Sequence, residues 1–325
     1  VIDGGAQLPC TSPATFQNLS VGLHSFSLNS LDGNNKASQP VTYKWTVNPL
    51  NLDQSFILSR WRASTNNGWF PALSPDGRYV NFGFGQNWLA DLQTGNEKLI
   101  MDRGFHGYWI KPDVFTFQAD TEAVTPRYEV NVADLIPIKK GYANGGQFYA
   151  ADGHWASCGY TTPLATDLGQ MSPKTSCCVS VSGDDFATCE GDSGEEIWLW
   201  RNGQHYLTYA TQPGSSGIGL NIKNGYLVYG DRGPVYAILP DGRHIDITTS
   251  PSRFEGNPKI FFVNGAAWVV TTTWIEKANK GLILLRPIES KAVIAIDYPA
   301  VSADAVYANG IITVAGNGEK GHLTV

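Results

Sequence analysis

Charged side chains are scarce in this chain: 16% of 325 residues, 23 basic against 29 acidic, for a net charge of −6. Without an excess of Lys and Arg there is no cationic field to hold a phosphate backbone, which argues against nucleic acid as a partner. Long apolar runs are missing too. No stretch of about 18 apolar residues occurs, so no membrane-inserting segment is expected, and the N-terminal residues carry no signal-peptide pattern. Helical periodicity of useful length, low-complexity tracts, the His/Cys spacings of a zinc site and a Gly-rich phosphate loop are all absent. Cysteines number only five. Glycine, by contrast, occurs 35 times, which suits a large all-β chain with many turns.

Those turns recur. Asp76-Gly77, Asp113-Val114, Asp152-Gly153, Asp184-Asp185, Asn224-Gly225, Asn264-Gly265 and Asn309-Gly310 follow one another at intervals of 37, 39, 32, 40, 40 and 45 residues. Asx-Gly supplies the positive φ of a tight hairpin. After each turn stands a similar apolar strand, such as Tyr79-Val-Asn-Phe-Gly83, Tyr226-Leu-Val-Tyr-Gly230 and Ile311-Ile-Thr-Val314. Around the first turn, Phe70 to Leu99 reads as four short strands in a meander. One such sheet cannot bury both faces alone, so the units must stack round an axis.

Leu73-Ser-Pro-Asp-Gly-Arg-Tyr-Val-Asn-Phe-Gly83 resembles the TolB-like or WD40-like blade motif of seven-bladed β-propellers, partly repeated at Lys111-Pro-Asp113. That resemblance implies an all-β propeller over residues 55–325, with six blades as the alternative because the third unit, Gly146 to Thr175, has weak outer strands. The seventh unit runs out of chain, so Phe56–Trp61 is expected to pair beside residues 322–325 and close the ring.

Residues 1–49 have another texture. Asp3-Gly-Gly5, Leu8-Pro-Cys-Thr-Ser-Pro13, Gly22–Leu28 and Val41–Val47 are similar to the C-terminal half of a bacterial immunoglobulin-like repeat, with residues 50–54 as linker. The resemblance implies an upstream half missing from this chain, and for Cys10 a disulfide partner just ahead of Val1. The other four cysteines, Cys158, Cys177, Cys178 and Cys189, allow three pairings. Cys178 and Cys189 flank one hairpin roughly in register, which favours that pair and leaves Cys158 with Cys177. Two disulfides would place the protein outside the cytoplasm, extracellular or on a cell surface.

In a propeller, the loops from fourth to first strands and from second to third gather on one face. That map nominates Arg62, Asn66, Asn67, Trp69, Asn87, Asp102, Arg103, His106, Tyr108, Lys140, Tyr142, Asn144, Asp231, Arg232, Arg253, Glu255, Asn257, Trp274, Glu276, Lys277, Glu319 and Lys320. Of these, Arg62, Asn67, Trp69, Asn87, Asp231, Arg232, Glu255 and Trp274 are the expected ligand-binding set, because rings stack on sugar C–H faces while planar polar groups bridge hydroxyls. His106 and Tyr108, with Arg103 or Arg253 neutralising a carboxylate, could serve β-elimination.

Cys189-Glu-Gly-Asp-Ser-Gly194 matches the serine motif of trypsin-like proteases, but Glu195-Glu196 follows where that family has Gly-Pro, and we read it as coincidence. The acidic loop with Asp184, Asp185, Asp192 and Glu195 offers oxygens to calcium but lacks the alternating ligand spacing of a calcium loop, so no cofactor is expected, with calcium on these four carboxylates as the alternative. The expected function is a surface-displayed propeller binding a glycan or protein partner. The alternatives are a polysaccharide lyase or glycoside hydrolase, and a structural component of a filament, sheath or phage tail.

Overall fold

A computed structural model of the chain describes residues 3–5, 22–34, 36–47, 70–121, 125–142, 147–151, 154–159, 162–166, 171–190, 196–201, 204–210, 219–230, 234–248, 254–275, 280–290, 292–296, 298, 300–317 and 323–325. Two compact units divide it: Val1–Ile57 with Phe262–Ala266, and Leu58–Phe261 with Ala267–Val325.

In the first unit β1 (Gly22–Leu28) pairs antiparallel with β2 (Val41–Val47), from Gly22 opposite Val47 to Leu28 opposite Val41. Asp3 ties the hairpin to the chain ahead of it. Its carboxylate accepts hydrogen bonds from His24 Nδ1 at 2.6 Å and the Ser25 amide at 2.7 Å, which hold the Asp3 carboxyl below the usual range.

The second unit is a series of antiparallel meanders. The first comprises β3 (Ala72–Leu73), β4 (Tyr79–Phe82), β5 (Phe84–Asp91) and the start of β6 (Asn96–Lys111). The second takes the rest of β6 with β7 (Val114–Ala119), β8 (Pro126–Asn131) and β9 (Ile138–Tyr142). One continuous strand thus serves two meanders: Asn96 to Phe105 pair with β5, and Gly104 to Lys111 with β7, the two pairings overlapping at Phe105. The third and fourth share a strand in the same way. β10 (Gln147–Ala151), β11 (His154–Gly159) and β12 (Thr162–Thr166) lead into β13 (Met171–Ser182), which continues with β14 (Asp185–Glu190), β15 (Glu196–Arg201) and β16 (Gln204–Ala210). Four-stranded sheets follow: β17 (Gly219–Lys223), β18 (Tyr226–Gly230), β19 (Val235–Ile238) and β20 (His244–Asp246), then β21 (Phe254–Val263), β22 (Ala266–Ile275), β23 (Lys280–Pro287) and β24 (Ile294–Ile296). β25 (Ser302–Ala308), β26 (Ile311–Asn317) and β27 (Leu323–Thr324) form the last sheet, three-stranded among the described residues.

The expected turns are where the period put them. Asn224, Asn264 and Asn309 have φ of 48°, 49° and 53°, and the glycines after them 81°, 82° and 81°, the left-handed pair that a two-residue hairpin requires. At Asp113 and Asp184 the turn is one residue earlier than expected, on Pro112-Asp113 and Gly183-Asp184. Asp152-Gly153 lies outside the described residues, as does the strand expected at 56–61.

Each meander packs on the next. Leu89 joins Phe115, Phe117 and Val130 between the first and second, and Arg127 lies over the Trp155 ring at 5.9 Å between the second and third. Ala156 meets Val179, Val181 and Phe186 between the third and fourth, and Ile197 and Leu199 meet Ile222, Leu227 and Tyr229 between the fourth and fifth. Gly316 of β26 lies so close to Ile283 of β23 that a Cβ there would come within 2.7 Å of its Cδ1. The circuit closes where Ala315, Val306 and Val325 of the last sheet pack on Leu73, Val80, Phe82 and Ala90 of the first.

Hydrogen bonds along the first strands follow the same circuit. Ser180 Oγ accepts from the Ile222 amide at 3.0 Å, and Asn221 Oδ1 from the Ile260 amide at 2.8 Å. Lys259 Nζ donates to the Pro71 carbonyl at 3.2 Å, and Asp304 Oδ2 accepts from the Leu73 amide at 2.8 Å. Replacing Asp304 with Ala strands that amide and is expected to lower stability by about 1.5–3 kcal/mol, the range for a hydrogen bond to a charged group. Thermal unfolding of Asp304→Ala beside Asp304→Asn, which keeps an acceptor, checks this; equal melting temperatures for Asp304→Ala and wild type would refute it.

Candidate functional site

Alternating strand directions put the turns between first and second strands at one end of the meanders. The start of β3, the β4–β5 connection and the midpoint of β6 lie at the other end. Glycine shapes this second end. Gly83 has φ of 128°, and a Cβ there would fall 1.8 Å from the Gln86 carbonyl oxygen; Gly85 has φ of 80°. The phenyl between them, Phe84, is 57% exposed.

Phe84 stands opposite Phe105 of β6, with ring centroids 6.3 Å apart and planes tilted by 54°. Its other neighbour is Phe70, 39% exposed, at 6.0 Å and 56°. Two further residues here hold left-handed backbone without being glycine: Phe70 at φ 51° and Arg103, where β6 passes between meanders, at φ 59°. Polar groups rim the rings. Gln86 Nε2 donates to Asp102 Oδ1 at 3.0 Å, and the Asp120 amide donates to the Arg103 carbonyl at 2.9 Å.

Beneath the rings lies a buried amide pair. Asn81 Nδ2 donates to Asn87 Oδ1 at 2.8 Å, Asn87 Nδ2 returns a bond to Asn81 Oδ1 at 3.2 Å, and Asn81 Nδ2 also reaches the Trp88 carbonyl at 2.9 Å. β6 passes against this pair on glycines. A Cβ on Gly104 would lie 2.5 Å from Asn87 Cβ, and one on Gly107 would lie 1.5 Å from Asn81 Oδ1.

Of the residues expected on this face, Asp102 and Arg103 are exposed at the aromatic rim. Asn87, expected as a ligand contact, is fully buried and bonded to Asn81. His106, expected on a loop, is a residue of β6 between the paired Phe105 and Tyr108. Tyr108 is half-buried and packs in a layer with Ile110 and Trp155. Lys140 Nζ is 3.6 Å from Glu129 Oε2, and the Tyr142 hydroxyl, on a half-exposed ring, accepts from Lys139 Nζ at 2.7 Å. Asn257 Nδ2 donates to the Val301 carbonyl at 3.0 Å, so its amide caps a neighbouring segment. Glu255 and Trp274 are residues of β21 and β22.

Arg62, Asn66, Asn67, Trp69, Asn144, Asp231, Arg232, Arg253, Glu276, Lys277, Glu319 and Lys320 lie outside the described residues, as do Asp192 and Glu195 of the acidic loop. In that loop Asp185 accepts from Arg201 Nε at 2.8 Å, and the exposed Asp184 carboxylate is 3.7 Å from His154 Nε2. No three His, Cys, Asp or Glu side chains converge on a metal position among the described residues. Cys178 and Cys189 are register partners across β13 and β14, while Cys158 and Cys177 belong to β11 and β13, on either side of β12.

A concavity of about 650 Å³ opens elsewhere, between β20 and the segment after β23. Of its exposed charges, Arg243 binds Asp241 and Glu289, each at 2.7 Å, and Asp246 Oδ1 accepts from the Thr248 amide at 2.8 Å. The Arg243 amide and guanidinium hold the Asp241 carboxyl below its ordinary range.

No protein-family model and no curated protein sequence matches the chain. Solved structures do. A chain of a mitotic checkpoint complex superimposes with TM-score 0.58 at 10% identity, covering 86% of this chain and 98% of that one. A prolyl endopeptidase follows at 0.54 and 10%, covering 77% of this chain and 45% of that one. The N-terminal domain of Nup159 gives 0.50 at 11%, covering 79% and 88%. The fold is a β-propeller. The exposed phenyl cluster therefore lies on the propeller face where second-to-third and fourth-to-first connections gather.

Sequence reasoning marked Asp102 and Arg103 but missed Phe70, Phe84 and Phe105. The available signal was Gly83-Phe84-Gly85, a large apolar side chain placed between two turn-forming residues. The glycine contacts yield a prediction. Gly107→Ala forces a methyl group onto the Asn81 amide and should cost about 1–3 kcal/mol, as overpacking does. Denaturant unfolding measures it, and Asn81→Ala in the same chain should recover part of the loss.

Proposed function

We propose that this is a binding propeller, extracellular or displayed at a cell surface on an immunoglobulin-like module, that recognises a glycan or protein partner through its loop face. The observation that supports this most is the Phe70, Phe84 and Phe105 cluster, with Phe84 57% exposed between Gly83 and Gly85 and Phe70 itself at positive φ. Exposed aromatic groups ringed by Arg and planar polar side chains have the composition of an interface centre with its rim. A chain of similar fold takes part in a checkpoint complex, and another is under half of a prolyl endopeptidase. Fold alone does not choose between such roles. The lyase reading draws no comparable support, since Tyr108 packs in a layer with Ile110 and Trp155 while Arg103 sits at the exposed rim.

A glycan array and a phage-displayed peptide library, each probed with wild type and with Phe70→Ser/Phe84→Ser, test the reading. Ligands should lose about tenfold in affinity or more on the double variant, the effect of removing anchor aromatics. Ligands that bind both proteins equally would overturn the loop-face assignment.

The extracellular setting rests on disulfides, and we assign them as Cys178 with Cys189 and Cys158 with Cys177. The Cα register across β13 and β14 supports the first pair. Mass mapping of an unreduced digest should recover both linked peptides. Four alkylatable thiols would remove the argument for an oxidising compartment.

A further inference from the structure

We infer that the partner is a polypeptide segment that places an aliphatic or aromatic side chain among Phe70, Phe84 and Phe105 and a Lys or Arg beside it, against Asp102 and Asp120. This deepens the loop-face reading and rests on it. Three observations choose polypeptide over sugar.

The first is ring geometry. A pyranose stacks on a flat ring face, but these phenyls are tilted by 54° and 56° to one another at 6.3 and 6.0 Å, so they make an uneven surface with no shared plane. Such a surface fits a branched apolar knob.

The second is hydrogen-bonding capacity. Sugar hydroxyls need donors and acceptors close to the stacked ring, yet phenylalanine has neither. The planar polar groups nearby are turned on protein atoms: Gln86 Nε2 on Asp102 at 3.0 Å, Trp88 Nε1 on Gln86 Oε1 at 3.4 Å, and Arg103 Nη1 toward the Asp120 carbonyl at 3.5 Å. An apolar side chain requires nothing further from them.

The third is charge. Among the described residues, Asp102 and Asp120 are exposed at the rim beside Arg103, while Lys259 is engaged by the Pro71 carbonyl at 3.2 Å and by Asp304 at 3.8 Å, within a chain of net charge −6. A basic residue next to the apolar anchor meets those carboxylates and the faces of exposed phenyl rings together.

Selection of a phage-displayed random dodecapeptide library on the intact protein tests the inference. Expected are sequences in which a Leu, Ile, Met or aromatic residue lies within two positions of Lys or Arg. The corresponding synthetic peptides should weaken about tenfold or more on Phe84→Ser, and further with added salt. Asp102→Lys should weaken them roughly twofold to fivefold, and changing the peptide's basic residue to Glu should restore binding to that variant alone. Circular dichroism and melting temperature confirm that the variants remain folded.

Peptides without the basic residue, or without the charge-swap rescue, would overturn the assigned partner. So would a glycan that binds the wild type and is lost on Phe84→Ser while no peptide is selected; that result keeps the loop-face reading and sinks only this one. Peptides bound equally by wild type and Phe84→Ser would overturn both.

Discussion

Closure of the circuit between the first and last meanders is the constraint on which the rest of the propeller depends. A meander with two apolar faces is stable only between two neighbours, so the sheet that begins the series must meet the sheet that ends it. The contact joins Leu73 to Asp304, 231 positions apart. Holding ends that distant together costs on the order of 5 kcal/mol in chain entropy by the logarithmic law. Burial of Leu73, Val80 and Phe82, at about 1.5–3 kcal/mol for each large apolar side chain, is sufficient to offset it. The carboxylate of Asp304 adds less energy but more direction. Apolar packing tolerates sliding, whereas a bond at 2.8 Å to one amide sets which residue of β3 faces which residue of β25.

That division of labour recurs. Apolar clusters supply adhesion between sheets, while Ser180 and Asn221 fix the offset of each first strand against the next. Between the first and second meanders the fixing device differs. Trp109 Nε1 donates to the Ala72 carbonyl at 2.8 Å, and the Asn81–Asn87 pair is held under Gly104 and Gly107. An amide pair wholly inside protein must satisfy its own bonds, and here each amide bonds the other.

How much of this was legible follows from which signals are local. Asn224-Gly225, Asn264-Gly265 and Asn309-Gly310 carry their turn geometry in two residues, so the period of the fold could be read directly. Asn87 shows the opposite case. An Asn near a turn signals exposure, and only the return of β6 at Gly104, seventeen residues on, buries it. His106 was expected on a loop because meanders usually end in turns; β6 instead runs on from one meander into the next, with Arg103 at positive φ making the passage. Asp185 likewise read as part of an acidic surface loop, until Arg201 on β15 reached it. The phenyl cluster escaped notice for a related reason. Phe84 reads with Gly85, Gln86 and Asn87 as a turn between strands, whereas β5 already begins at Phe84, and the direction of its ring is settled by two flanking glycines at positive φ rather than by propensity.

The buried amides and the exposed rings are parts of one construction. A surface of flexible side chains loses affinity to the ordering it undergoes on binding, at about 0.5–1.5 kcal/mol per immobilised group. Phe84 and Phe105 are anchored on opposite positions of paired strands, and those strands cannot shift without opening the Asn81–Asn87 pair or driving Gly104 into Asn87. The rings are thus held by backbone rather than by one another. Substitutions that leave every exposed atom in place but loosen the amide pair should therefore weaken binding as well as stability, because the interface uses the rigidity of the layer beneath it.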